Sequence, residues 1–105
     1  MAIYNKPKHE LTIPNKILIA PNLNANEKIV LSEIIWMQDY NTKHNQGYYC
    51  YVSNGYLHFL IGVTRRQITK IISDLVEKGY IKILKSQCGD FRHISYNKEL
   101  CIDGK

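Results

Sequence analysis

At 105 residues the chain suits one domain with a single modest core and is too short for two. Its 45% apolar and 22% charged content set it with globular rather than disordered proteins, and neither an apolar run near the ~18 residues of a membrane span nor a signal-peptide core is visible, so a cytoplasmic protein without a membrane partner is expected. The net charge of +5 is uneven: residues 1–50 carry five Lys against four acids, and residues 51–105 nine Lys and Arg against five, an imbalance that points to a polyanionic partner for the second half.

Residues 1–10 read as a polar, mildly basic arm and 98–105 as a frayed tail, bracketing one domain over 11–97. "LTIPNKILIAPNL" predicts a short strand near 11–13 and one helical turn at 15–19, punctuated by Pro14 and Pro21. Asn24 and Glu27 have the spacing of a capping box, which starts a helix over 25–40. On that helix Val30, Ile34 and Met37 share a face, flanked by Leu31 and Ile35. A second stripe, Ile29, Trp36 and Tyr40, lies well round the cylinder, leaving Lys28, Ser32 and Asp39 as the polar side. Leu11, Ile13 and Ile17 are expected to cover the second stripe. A homodimer interface is the alternative.

"NTKHNQG" (41–47) is a loop, and "YYCYV" (48–52) favours a short strand. Ser53 is a suitable cap for a helix over 54–61, and Gly62 ends it. Thr64 and Gln67 form another capping box, opening a helix that Gly79 closes at its C′ position. A strand over 80–86, a turn at 87–90 and a strand over 91–97 complete the order. The class is α+β, mainly α. Two helices joined by a short Gly-containing turn make a helix-turn-helix, and the hairpin behind them makes a wing.

On the helix after Thr64, the apolar residues Ile68, Ile71, Ile72, Leu75 and Val76 cluster on one side. Opposite stand Arg66, Thr69, Lys70 and Ser73, with Glu77 a turn further on and Arg65 and Gln67 in the first turn. Such a face suits the major groove of duplex DNA. Arg reads guanine through two parallel bonds, Gln reads adenine, and the Thr methyl meets the thymine methyl. Lys, Ser and the helix N-terminus hold phosphates. The wing adds Lys82, Lys85, Arg92 and His93 around Gly89-Asp90, placed for phosphate contacts, while Asp90 opposes deep minor-groove insertion.

The run Ser53, Asn54, Tyr56, Leu57, Leu60, Gly62, Val63, Thr64, Arg66, Ile68, Ile72, Leu75, Lys78, Gly79, Tyr80, Ile81 resembles the winged helix-turn-helix family. The upstream "IPNKIL…LNANEKIVLSEI" (13–34) is similar to the N-terminal domains of phage and plasmid replication initiators of low-GC bacteria. The resemblance implies a three-helix core with a C-terminal hairpin wing. It also implies binding of double-stranded DNA through residues 64–73, at a replication origin or, as the alternative, at an operator for transcription regulation. The candidate DNA-contacting set is Ser53, Asn54, Thr64, Arg65, Arg66, Gln67, Thr69, Lys70, Ser73, Lys82, Lys85 and Arg92. Replication proteins and a second copy of the chain are the further candidate partners. Two departures stand out. His58 occupies a position where the family has a small residue packed on the recognition helix, which is expected to alter the angle between the two helices, and Phe59 replaces a charged residue. Gly55 inside the short helix costs up to ~1 kcal/mol relative to Ala.

A protein-docking module is the third reading, motivated by Tyr56 and Phe59 together with the stripe Ile29, Trp36 and Tyr40, and with Ile29, Trp36, Tyr40 and Phe59 as its candidate surface. Catalysis is not expected: there is no P-loop, GxSxG or HExxH. The three cysteines, Cys50, Cys88 and Cys101, have no CxxC spacing, and neither His44, Cys50 and His58 nor Cys88, His93 and Cys101 make a compact zinc pattern. No metal or cofactor is therefore expected.

Overall fold

The computed structural model describes residues 9–84 and 93–102. In chain order the elements are α1 (Asn15–Leu18), α2 (Ala25–Lys43), α3 (Asn54–Ile61), α4 (Arg65–Glu77), β1 (Ile81–Leu84), β2 (His93–Tyr96) and α5 (Lys98–Cys101). This is a mainly helical α+β fold with one small antiparallel sheet, in which Ile81 faces Tyr96 and Leu84 faces His93.

Local chemistry starts both long helices. The Asn24 side chain accepts from the Glu27 amide at 2.8 Å while Glu27 Oε1 accepts from the Asn24 amide at 2.9 Å. Two of the amides that the first turn leaves unpaired are thereby satisfied. α2 then runs past residue 40 to Lys43, because Thr42 and His44 still bond back to the Gln38 and Tyr40 carbonyls. α4 is opened by Thr64 and Gln67 in the same reciprocal way. It ends in a Schellman arrangement: the Tyr80 amide donates to the Leu75 carbonyl and the Gly79 amide to that of Val76, with Gly79 at φ +84°.

The core forms where α2 crosses the rest of the molecule. Val30, Leu31 and Ile34 of α2, Leu57 of α3, Ile68 and Leu75 of α4 and Ile94 of β2 are all fully buried. α2 is covered on more sides than its sequence suggests. Ser32, expected on the polar side, is buried and donates to the Lys28 carbonyl. Asp39, on the same side, accepts from the Tyr96 hydroxyl at 2.7 Å. Gln38 binds the Tyr96 amide through Oε1 at 2.9 Å, tying α2 to β2.

Four expectations are corrected. Residues 11–13 make no strand. Residues 48–52 contribute to the sheet only through Cys50, which exchanges two backbone bonds with Ile94, since Tyr49 and Tyr51 turn their rings onto His93. Val76, placed with the buried face of α4, is 40% exposed. The tail, expected to fray from residue 98, instead forms α5: the Asn97 side chain caps the Glu99 and Leu100 amides, Lys16 of α1 donates to the Glu99 carbonyl, and Cys101 is fully buried. A cap, a cross-chain bond and a buried side chain together outweigh end fraying.

Candidate nucleic-acid interface

α3 and α4 meet across the turn at Gly62–Thr64. Ser53 caps α3 by accepting from the Tyr56 amide at 3.1 Å. Gly62 closes it in the left-handed conformation at φ +78°, which a side chain would strain. His58 is not wedged between the helices. Its ring is exposed and its Nδ1 bonds the Val63 carbonyl, bracing the turn from outside. Gly55 is the small buried residue of α3, so the expected change of helix angle does not originate at His58.

The inner face of α4 is held by Ile68, Ile71, Ile72 and Leu75. Its far end is clamped to α2, where Lys78 Nζ reaches both oxygens of buried Glu27 at 3.0 Å and the Asn22 carbonyl at 2.7 Å. The outer face is thus presented on a helix fixed at both ends. Arg65, Arg66, Thr69, Lys70 and Ser73 are all exposed there.

The hydrogen bonds divide the candidates. Thr64 and Gln67 spend their side-chain oxygens on the cap. Thr69 Oγ1 donates to the Arg65 carbonyl at 3.0 Å and accepts from Asn54 Nδ2 at 3.2 Å, which makes Thr69 and Asn54 a joint between α3 and α4. Lys70 pairs with Asp74 one turn on at 3.1 Å, a carboxylate absent from the sequence reading although its i,i+4 spacing is visible there. Arg65 and Arg66 have no ion-pair partner among the described residues. Both sit in the first turn, where the helix dipole also favours an anion.

Lys82 on β1 is exposed opposite Ser95 of β2. Lys85, Arg92, Cys88 and the Gly89-Asp90 turn lie outside the described residues.

Of the candidate partner surface, Trp36 and Tyr40 line a cleft with Tyr56, whose ring lies 6.4 Å from that of Phe59, and Ile29 lines another cleft with His9, Leu60 and Ile61. Burial of Tyr56 raises its phenol pKa, with the Glu33 charge adding to the effect. Of the three residues expected to cover the stripe, Ile17 is buried, Ile13 packs on the core and Leu11 stays 42% exposed. The cover is His9, whose ring lies 3.5 Å from and nearly parallel to Trp36, continuing a column through Tyr40 to His44. Sequence reasoning missed it because a lone histidine in a polar segment has no periodicity to reveal its contact. Among the described residues no group of three His, Cys, Asp or Glu is placed to hold a metal ion, and no helix is long and apolar enough to cross a membrane.

A family model described as a helix-turn-helix domain matches residues 22–81, from the residue that accepts Lys78 to the start of β1. Among solved structures, the chain is similar to one described as "N-Terminal domain of DNA binding protein". The TM-score is 0.65 at 16% identity, over 93% of this chain and 85% of that one. At that identity the likeness is one of fold. No curated protein matches the chain in sequence.

Proposed function

The chain belongs to the helix-turn-helix domain family, and from that premise we propose that it binds specific double-stranded DNA by laying α4 in the major groove. The observation that carries this reading is the pair Arg65 and Arg66. They are two exposed guanidinium groups without an ion-pair partner among the described residues, at the N-terminal turn of a helix whose other face is locked into the core. Recognition helices use these turns to reach base edges. The likeness in fold to the N-terminal domain of a DNA binding protein supports the same reading.

In this proposal Arg65 and Arg66 read bases. Lys70, Ser73 and, from the wing, Lys82 hold phosphates, with Lys85 and Arg92 as further wing contacts. Ser53, Asn54, Thr64, Gln67 and Thr69 set the register of α3 and α4, and what remains of their hydrogen-bonding capacity faces the backbone of the duplex. The finer role is replication initiation in a phage or plasmid setting, supported by the resemblance of residues 13–34 to replication initiators. Transcription regulation by a dimer on an operator is the second reading.

Selection of preferred sites from random duplex DNA at near-physiological salt tests this. Enrichment of one motif is expected. Tandem direct copies in the source genome favour an origin, and inverted half-sites about one helical turn apart favour a dimeric regulator. Failure to enrich any motif, together with no salt-dependent binding to duplex DNA, overturns the proposal.

A further inference from the structure

α2 carries two buried carboxylates, each only 2% exposed, and the fold treats them differently. Glu27 has an ammonium on both oxygens, supplied by Lys78 at 3.0 Å. Glu33 has a partner on one oxygen alone: His9 Nε2 bonds Oε1 at 3.1 Å, and Oε2 is buried with no hydrogen-bond partner among the described residues. A carboxylate oxygen out of contact with water and without a donor is a strong acceptor left unsatisfied.

Glu33 also lines a cleft of about 360 Å³, at the small end of the range for ligand sites. Its walls are apolar, with Leu11 from the segment before α1, Ile29 from α2, and Leu60 and Ile61 from the end of α3. Besides Glu33, its polar groups are His9 and, at the rim, exposed Asn26. His9 is held in place by its stack on Trp36, so the cleft has a formed wall on that side. The combination is specific. Apolar walls exclude a hydrated inorganic ion, and a single buried carboxylate calls for a positively charged donor with a hydrocarbon body.

We propose that this cleft binds a small organic cation, a primary ammonium on a compact apolar body. The Glu33 carboxylate, closed to water at Oε2 in the free protein, turns on its side chain to bring that oxygen to the N–H groups, as Glu27 meets Lys78, and the hydrocarbon lies against Leu11, Ile29, Leu60 and Ile61. Such a ligand bridges the N-terminal segment, α2 and the end of α3 that leads into the turn before α4. The inference stands apart from the DNA reading, and its assay contains no nucleic acid.

The test is a titration of the full chain with n-pentylammonium and, separately, with pentan-1-ol, followed by calorimetry and by amide NMR shifts. Saturable one-to-one binding is expected, with shifts at His9, Asn26, Leu60 and Ile61. The ammonium should bind about tenfold or more tightly than the alcohol, the worth of one charge-assisted hydrogen bond. Glu33→Gln should abolish that preference. Ile29→Lys, which sets an ammonium one helical turn before Glu33, should abolish binding while leaving the carboxylate in place, and it serves if the first variant does not fold. Equal affinity for ammonium and alcohol, or shifts confined to other surfaces, overturns the proposal. So does absence of binding.

Discussion

α2 and α4 begin alike and end up in different roles. Each is opened by a reciprocal capping box. Past the first turn, α4 buries Ile68, Ile71, Ile72 and Leu75 on one side and leaves Arg65, Arg66, Thr69, Lys70 and Ser73 exposed on the other. α2 buries residues nearly all round, including Glu27, Ser32, Glu33 and Gln38. A helix with one buried stripe keeps a side for a partner, whereas a helix buried all round has to find partners for its polar side chains inside the protein. For α2 these are Lys78, His9 and the Tyr96 amide. The comparison teaches that a buried polar residue marks the scaffold, and an exposed cation without a carboxylate beside it marks the contact face.

The largest effect that sharpens this division comes from the scaffold's apolar centre. Ile34 is fully buried on α2, and Ile34→Ala should cost about 2–5 kcal/mol in chemical denaturation, while the folded protein keeps its DNA preference. Retained stability would mean that α2 is not the organising helix.

Alkaline pH probes the partners of the scaffold. Burial, then the hydrogen bond to Asp39 and its charge, holds the Tyr96 phenol well above its ordinary range, and burial pushes the Cys101 thiol up to about 11 against the opposing Asn97 amide and Lys16 charge. Both groups are held neutral by folding. The Cys101 contribution is therefore complete below the ordinary thiol value of 9.0 and is lost as pH rises from there through about 11, while that of Tyr96 starts to be lost only above the ordinary phenol value of 10.0. Thermal melts from pH 8 to 11 should show a falling Tm, with a shallower fall for Cys101→Ala. A rising Tm would break the assignment.

Glu27 lies between the two helices, serving the cap of α2 and the clamp on α4. Glu27→Ala should lose about 1–3 kcal/mol of stability, since it leaves the Asn24 amide without an acceptor and Lys78 with the Asn22 carbonyl alone. Glu27→Gln keeps the cap's acceptor and should lose less. Equal losses would mean that the cap contributes nothing beyond the ion pair with Lys78.

On the contact face the signs reverse. Arg66→Ala should leave the melting temperature within a degree or two yet cost ~1–3 kcal/mol of DNA affinity, with relaxed preference at one base pair. Lys82→Ala should weaken all sequences alike and reduce the salt slope by about one. If both variants act alike on every sequence, α4 is not the reading helix. The smallest effect belongs to the exposed Lys70–Asp74 pair, where Asp74→Asn should change stability by only ~0.3–0.5 kcal/mol while strengthening duplex binding at low salt.

Much of the fold was legible because it is local. The boxes at Asn24 and Thr64, Gly62 and Gly79 at helix ends, and the spacing of Ile68, Ile71, Ile72 and Leu75 act within a few residues and leave a readable pattern. The face that carries Arg65 and Arg66 followed from the same periodicity. The internal duties of Gln67, Thr69 and Asn54 were harder to see, because one cap and one interhelical bond take oxygens that composition alone leaves free. α5 was missed although Asn97 is a good cap, since its stability comes from Cys101 entering the core beside β1 and from Lys16 across the chain.

By itself, then, the sequence determined the order of the first four helices, the caps that open α2, α3 and α4 and the cationic side of α4, since these rest on backbone hydrogen bonds and helical spacing over a few residues. Only the tertiary structure decided which side of α2 meets solvent, that His9 covers Trp36, that Lys78 answers Glu27, and that Glu33, which lines an apolar cleft, keeps one buried oxygen unanswered. Each of those contacts joins side chains far apart along the chain. Their energies depend on distance and burial, which exist only once the chain has closed on itself.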